Sequence, residues 1–239
     1  DRSRAGRMRL IYFDIPGKAE AIRLCAAVAG VPLEDVRVTR ETFAEMKAKG
    51  ELPYGQVPAL DVGEGKFLAQ SSAILRYVGT IGGLHPASDP LAAARIDAIV
   101  AEEEDMFCGI SVSRYGPRFG FDFEGREDYR AQVRKLLNDE VLPRHLRFLE
   151  TLLADSATGW LANTEKPSIA DFVFVPRLQW LVSGANDGID GDLLARFPRV
   201  AGLIEKLMGL PEVVDYVVRV AIRREQRKVR YVEVICTDT

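Results

Sequence analysis

The sequence predicts a small α/β unit followed by an all-helical one, and two observations carry that prediction. Within residues 8–84 the apolar pattern alternates between strand and helical period in the order βαβ, then ββα. Beyond residues 85–90, a stretch with two prolines, the pattern stays helical. Residues 8–14 read as the first strand. Residues 18–29 read as a helix, with Ile22, Cys25, Ala26 and Ala29 on one face and Gly30 placed to stop it. Residues 36–38 form a second short strand, and a polar, glycine-containing stretch follows. Residues 59–62 and 66–68, separated by Gly63, Glu64 and Gly65, carry a hairpin signal. Helical period returns over residues 71–81 through Ile74, Tyr77, Val78 and Ile81. Later helices are expected at 91–115, 126–153, 168–183, 192–208 and 211–225, after which residues 231–236 alternate like a short strand. The expected organisation is a first domain at 8–84, a helical domain at 91–225 and a basic tail at 226–239.

Composition narrows the function. A chain of 239 residues can bury a sizeable core, and 47% hydrophobic with 28% charged residues is ordinary for a globular protein. A net charge of −3 gives no general attraction to nucleic acid. No apolar run reaches the length of a membrane span, and residues 1–9 lack the apolar core of a signal peptide. Met8 is a candidate natural start. The three cysteines, Cys25, Cys108 and Cys236, are odd in number and far apart, with only His85 and His145 to assist them. They form neither a disulfide framework nor a metal-ligand spacing, so a reducing cytoplasm and no metal are expected.

Three short segments carry the chemistry. Residues 10–13 put the phenol of Tyr12 on a strand. Residues 55–58 form a tight turn that leads through Pro58 into another strand. Residues 70–74 put a polar pair, Gln70 and Ser71, at the start of an apolar helix. Ser71 reads as a plain N-cap on its own. A helix N-terminus with free N–H groups and a hydroxyl is also a carboxylate site, and the Gln70 amide adds a donor and an acceptor for an amino-acid head group. Together the segments suggest a cradle for a small anionic peptide beside a tyrosine hydroxyl.

At this spacing they resemble the thioredoxin-like half of the soluble glutathione transferases, and the resemblance extends over residues 8–210. It points to the tyrosine type, similar to the sigma, pi, alpha and mu classes. What it implies is a thioredoxin-like βαβ-ββα domain that binds glutathione, the co-substrate, and a helical domain that binds a hydrophobic electrophile. Serine- or cysteine-using relatives place that residue in the first strand-to-helix region; none lies between Arg9 and Leu24, which leaves Tyr12 as the catalytic hydroxyl. A free thiol of pKa about 8.5 is only a few per cent thiolate at neutral pH, and a donor fixed against the sulfur favours the anion. The resemblance further implies a cis Val57–Pro58 bond and glutathione contacts from Phe13, Lys18, Phe43, Lys47, Gln56, Val57, Pro58, Gln70 and Ser71. Relatives commonly carry Arg where Lys18 stands and Trp where Phe43 stands, so two contacts to the glycine end are weakened.

In the run Glu102 to Asp105, four acids on a helix cannot share a face, and most read as solvated. The resemblance singles out Asp105 as an acid that reaches the glutathione amino group across a homodimer, and Tyr54 as an aromatic inserted into the partner, the alternative being a loop aromatic folded onto its own domain. The electrophile is expected against Ile15, Met106, Phe107, Ile110 and Tyr115, with Phe13 beside them. Ser168 and Asp171 fit a capping box, a folding signal that matches the family's helical core. The six basic residues between Arg219 and Arg230 read as a solvated end or as an anion-binding flap. Two alternatives share this frame: a prostaglandin D synthase-like, glutathione-dependent isomerase, and a non-catalytic crystallin-like or ligand-carrying relative.

Overall fold

The computed structural model describes residues 8–237, with side chains described as far as Arg223 and at Glu225. The first seven residues, the side chains of Arg227, Lys228 and Arg230, and that of Cys236 lie outside the described residues.

The chain opens with β1 (Met8–Phe13), α1 (Glu20–Ala29) and β2 (Leu33–Val38), a βαβ unit whose strands pair in parallel. Gly30 ends α1 in the left-handed conformation, at φ 62°, with its N–H on the Ala26 and Ala27 carbonyls. A helix then occupies the stretch that reads only as polar sequence: α2 (Arg40–Ala48), capped by the Thr39 hydroxyl, which accepts from the Thr42 N–H. It buries no residue fully, so its sequence carries no apolar stripe to reveal it. The hairpin of β3 (Ala59–Asp61) and β4 (Phe67–Ala69) adds antiparallel to β1, giving the sheet order β2-β1-β3-β4, and α3 (Ser71–Ile81) follows.

The helical domain runs α4 (Pro90–Arg114), α5 (Glu127–Leu136), α6 (Leu142–Ala154), α7 (Ile169–Leu181), α8 (Pro198–Met208) and α9 (Pro211–Thr237). One turn of π-helix, Leu137–Val141, separates α5 from α6 where a single helix is expected. The ending also differs from expectation. Residues 231–236 are helical, because no glycine or proline interrupts the chain after Pro211 and α9 runs on. No helix among the described residues is long and apolar enough to cross a membrane.

The two domains share one core. Helix α7 packs on α1 and α3, and Gly79 permits the close approach: a Cβ there would lie 2.3 Å from Ile169 Cγ2. At the other end Tyr216 of α9 donates to Glu20 Oε1 of α1 at 3.0 Å. The capping box forms as expected: Ser168 N–H donates to Asp171 Oδ2 at 2.8 Å, and Leu161 N–H to Oδ1 at 2.8 Å.

Candidate active site

The site is built on the corner where β1 turns into α1. Tyr12 lies second from the end of β1, 8% exposed, and its hydroxyl accepts the Lys18 backbone N–H at 3.2 Å. The turn permits this contact only because residue 17 is glycine: a Cβ there would sit 2.5 Å from the Tyr12 oxygen, at a φ of +45°. Burial pushes the Tyr12 phenol above its ordinary range, outweighing the Lys18 N–H and the Arg23 and Arg177 charges that pull it down. The phenol therefore stays protonated, with its oxygen taking one N–H and its own hydrogen available to an acceptor. Cys25, on the buried face of α1, has its thiol pushed up to about 12 by burial and is no rival nucleophile.

The corner is clamped from within by Arg23, a residue to which the sequence draws no attention. Its buried guanidinium donates to the carbonyl of Ile15 at 2.8 Å and to those of Phe13 and Pro16 at 3.4 Å. It also pairs with Glu20 and Asp35 at 3.1 Å and lies 5.8 Å from the centre of the Tyr12 ring. Its sequence position, among the apolar residues of α1, gives no sign of this role.

Around the corner the structure gathers most of the expected residues. Phe13 meets Tyr12 at 5.6 Å and Phe43 edge-on at 5.3 Å. Lys47 lays its stem over Gly55, next to Gln56. Gln56 in turn accepts from Arg118 of the helical domain at 3.2 Å. The Val57–Pro58 bond is cis. Gln70, not Ser71, is the N-cap of α3; it takes φ 69° and makes no side-chain capping bond. A non-glycine residue at such φ is strained, and strain of this kind clusters at binding sites. The first N–H groups of α3 are thereby left without a cap from Gln70. Ser71 and Ser72 line a small cleft together with Gly17, Lys18, Glu103, Glu104 and Arg177.

The acids and the electrophile wall differ from expectation. Glu103 is not solvated: it is 2% exposed, with Oε1 accepting from Arg177 Nε at 2.7 Å and Oε2 lying 3.7 Å from Lys18 Nζ. Asp105 is exposed on α4 and does not line the cleft, whereas Glu103 and Glu104 do. Met106, Phe107 and Ile110 are 0–1% exposed and belong to the core, because the stripe through Val100, Glu103, Met106 and Ile110 faces inward. They form no wall. Ile15 and Tyr115 are about half exposed, and Tyr115 lies close enough to act on the Tyr12 phenol. Trp180, absent from the sequence-based set, joins them: it lies 4.8 Å from the Arg177 guanidinium and 5.6 Å from that of Arg114, which also covers Tyr115.

Known proteins share this architecture. Two family models match, one described as the glutathione S-transferase N-terminal domain over residues 8–80 and one as its C-terminal domain over residues 117–219. Glutathione S-transferase 1 of Ascaris suum is 32% identical over 212 residues, covering 87% of this chain and 94% of that protein. The chain belongs to the glutathione S-transferase family. Among solved structures, the prostaglandin synthase D of Nilaparvata lugens superposes with a TM-score of 0.73 at 27% identity, over 89% of this chain and 97% of that one. A transferase of Necator americanus described as monomeric superposes with a TM-score of 0.69 at 26% identity, over 90% of this chain and 97% of its own.

Proposed function

We propose that this glutathione transferase binds the tripeptide along the first domain and holds its thiolate on the Tyr12 hydroxyl. The observation that carries this reading is the free hydrogen of a buried, protonated phenol held against Gly17 and Lys18, which line a cleft whose far side is the uncapped start of α3. The γ-glutamyl end lies at Gln70 and Ser71, and the cysteine main chain at Val57 and Pro58. The glycine end lies by Lys47, Phe43 and Gln56, and Lys18 and Phe13 complete the cradle. The thiol's proton passes to solvent, and the sulfur attacks an apolar electrophile lying against Ile15, Tyr115 and Trp180. With an aryl halide the carbon–sulfur bond replaces the carbon–halogen bond and the halide leaves. Rate enhancement comes from positioning and from anion stabilisation by a preset donor. Replacing Tyr12 by Phe removes only the donor. Turnover of an aryl halide is expected to fall about 10- to 1000-fold while retention on immobilised glutathione persists. Near wild-type kcat in Tyr12→Phe would rule out the assignment.

A second reading, glutathione-dependent isomerisation of an endoperoxide, has the prostaglandin synthase neighbour in its favour. It uses the same thiolate, and assay of both substrate types on one preparation separates the two. Assembly as a two-fold homodimer in the cytoplasm completes the proposal. Tyr54 stands 76% exposed at the tip of its loop, and Asp105 is exposed on α4, as residues serving a partner subunit would be. Light scattering tests this, and a monomer with full glutathione affinity excludes a shared site.

A further inference from the structure

Next to Lys18, whose N–H meets the Tyr12 hydroxyl, the structure holds an ion cluster that reaches across into the helical domain. The Glu103 carboxylate of α4 receives two cations from different domains, Lys18 at 3.7 Å and Arg177 of α7 at 2.7 Å. One buried carboxylate between two cations leaves a surplus positive charge. Of the two, Lys18 is 44% exposed, so water screens it, while the Arg177 side chain is 16% exposed. The Arg177 guanidinium lies 4.2 Å from the Phe107 ring centre and 4.8 Å from that of Trp180, and its buried Nη2 has no hydrogen-bond partner among the described residues. Arg177 shares the cleft lining with Gly17 and Lys18, the two residues that touch the Tyr12 hydroxyl.

We infer that Arg177 is a second, electrostatic stabiliser of the glutathione thiolate, supplied by the helical domain and tuned by Glu103. A permanently charged guanidinium fixed in a site of low dielectric acts on a neighbouring anion without reorganising during the reaction. The charged and titratable groups that act on the Tyr12 phenol or line the cleft next to it are, from the first domain, Tyr12 itself, Lys18 and Arg23. From the second they are Glu103, Glu104 and Tyr115 on or next to α4, and Arg177 on α7. Glu103 and Arg177 are joined by a direct charged hydrogen bond, so changing either alters the local charge in a known sense. The inference rests on glutathione being bound with its sulfur at Tyr12.

The test is the pH dependence of the bound thiolate's ultraviolet absorbance and of kcat/KM in Arg177→Gln, Arg177→Lys and Glu103→Gln. Loss of the cation raises the bound thiol's pKa. Where that pKa lies above neutral, Arg177→Gln should lose about ten-fold in kcat/KM at neutral pH for a rise of about one pH unit, and recover on the alkaline side. Arg177→Lys should restore most of the neutral-pH rate. Glu103→Gln, which removes the opposing charge and keeps the shape, should move the thiol pKa the other way. A structural role would impair both variants alike, so shifts of the same sign, or none, in variants that still bind glutathione would overturn the inference. Should Arg177→Gln fail to fold, the charge-retaining Arg177→Lys and the apolar Arg177→Met decide together: the same thiol pKa in both would overturn the inference. Absence of any thiolate band in the glutathione-loaded wild type would instead defeat the placement of the sulfur at Tyr12.

Discussion

Among the described residues the helical domain buries two carboxylates, and they are settled in opposite ways. Asp171 is fully buried and meets main-chain N–H groups of Leu161 and Ser168 with the Ser168 hydroxyl, all within its own domain. Glu103, equally hidden, meets two side-chain cations, one of them from the other domain. A carboxylate satisfied mainly by backbone is part of the fold itself, since no substitution elsewhere can withdraw its main-chain donors. A carboxylate satisfied by side-chain cations leaves a field whose strength depends on each partner, and it lines the cleft with Lys18, whose backbone N–H meets the Tyr12 hydroxyl. The contrast separates a group that holds structure from one that sets chemistry.

The sharpest way to break the comparison is by rescue. Asp171→Ala strands two buried N–H groups, each costing about 1–3 kcal/mol, and denaturant unfolding should show a loss of about 3–5 kcal/mol. No second substitution can restore it. Breaking the other cluster at one end, Glu103→Leu, should cost a comparable amount, because it leaves the Arg177 charge buried and unpaired. Here the double variant Glu103→Leu/Arg177→Leu should recover most of the stability, since apolar replacement of a buried pair is often neutral or better. A double variant as unstable as the single one would mean that Glu103 is structural in the same sense as Asp171.

A smaller effect is read by pH. Burial raises the Asp171 carboxyl from 3.8 to about 6, against the pull of its hydrogen bonds. With the folded pKa above the unfolded one, the native state holds a proton that the unfolded state has released between those values. Stability contributed at Asp171 is thus fully present below about pH 4 and lost as pH rises through about 6, by up to about 3 kcal/mol. Comparing the pH slope of unfolding in the wild type and in Asp171→Asn over that window isolates it. Equal slopes would show that the backbone donors hold the carboxylate ionised throughout.

The two acids also differ in how visible they are in the sequence. Asp171 stands three residues after Ser168, and a capping box is a local pattern, so its role is legible from spacing alone. The placement of Tyr12 near the end of β1, and of Gln70 and Ser71 at the start of α3, is legible in the same way, while their roles are not. Glu103 and Arg177 are 74 residues apart, and nothing in an acidic run says which member will find a buried partner. Helix α4 carries apolar residues on several faces, so periodicity does not reveal that Met106, Phe107 and Ile110 point inward. Arg23 escapes notice because an arginine within an apolar stripe looks like a surface residue until the β1–α1 turn folds its carbonyls over it. Helix α2 escapes for the converse reason, having no buried face to announce.

The smallest expected effect separates the two cations on Glu103. Lys18 is nearly half exposed and sits at 3.7 Å, a separation typical of a loose ion pair, whereas Arg177 is largely buried and donates a hydrogen bond at 2.7 Å. Water screens the first and scarcely touches the second, and exposed pairs are worth about 0–1 kcal/mol. Lys18→Gln should therefore shift the midpoint of urea unfolding only slightly, by less than about 1 kcal/mol. Arg177→Gln, which leaves the Glu103 charge with its weaker partner alone, should cost about 3–5 kcal/mol by the same measurement. Added salt sharpens the difference: it should shrink the small Lys18 effect further and leave the Arg177 effect nearly intact, because screening acts on exposed charges. If the two substitutions proved equal and equally salt-sensitive, Glu103 would have to be wetter than its 2% exposure implies. Its cluster would then set no field at Tyr12.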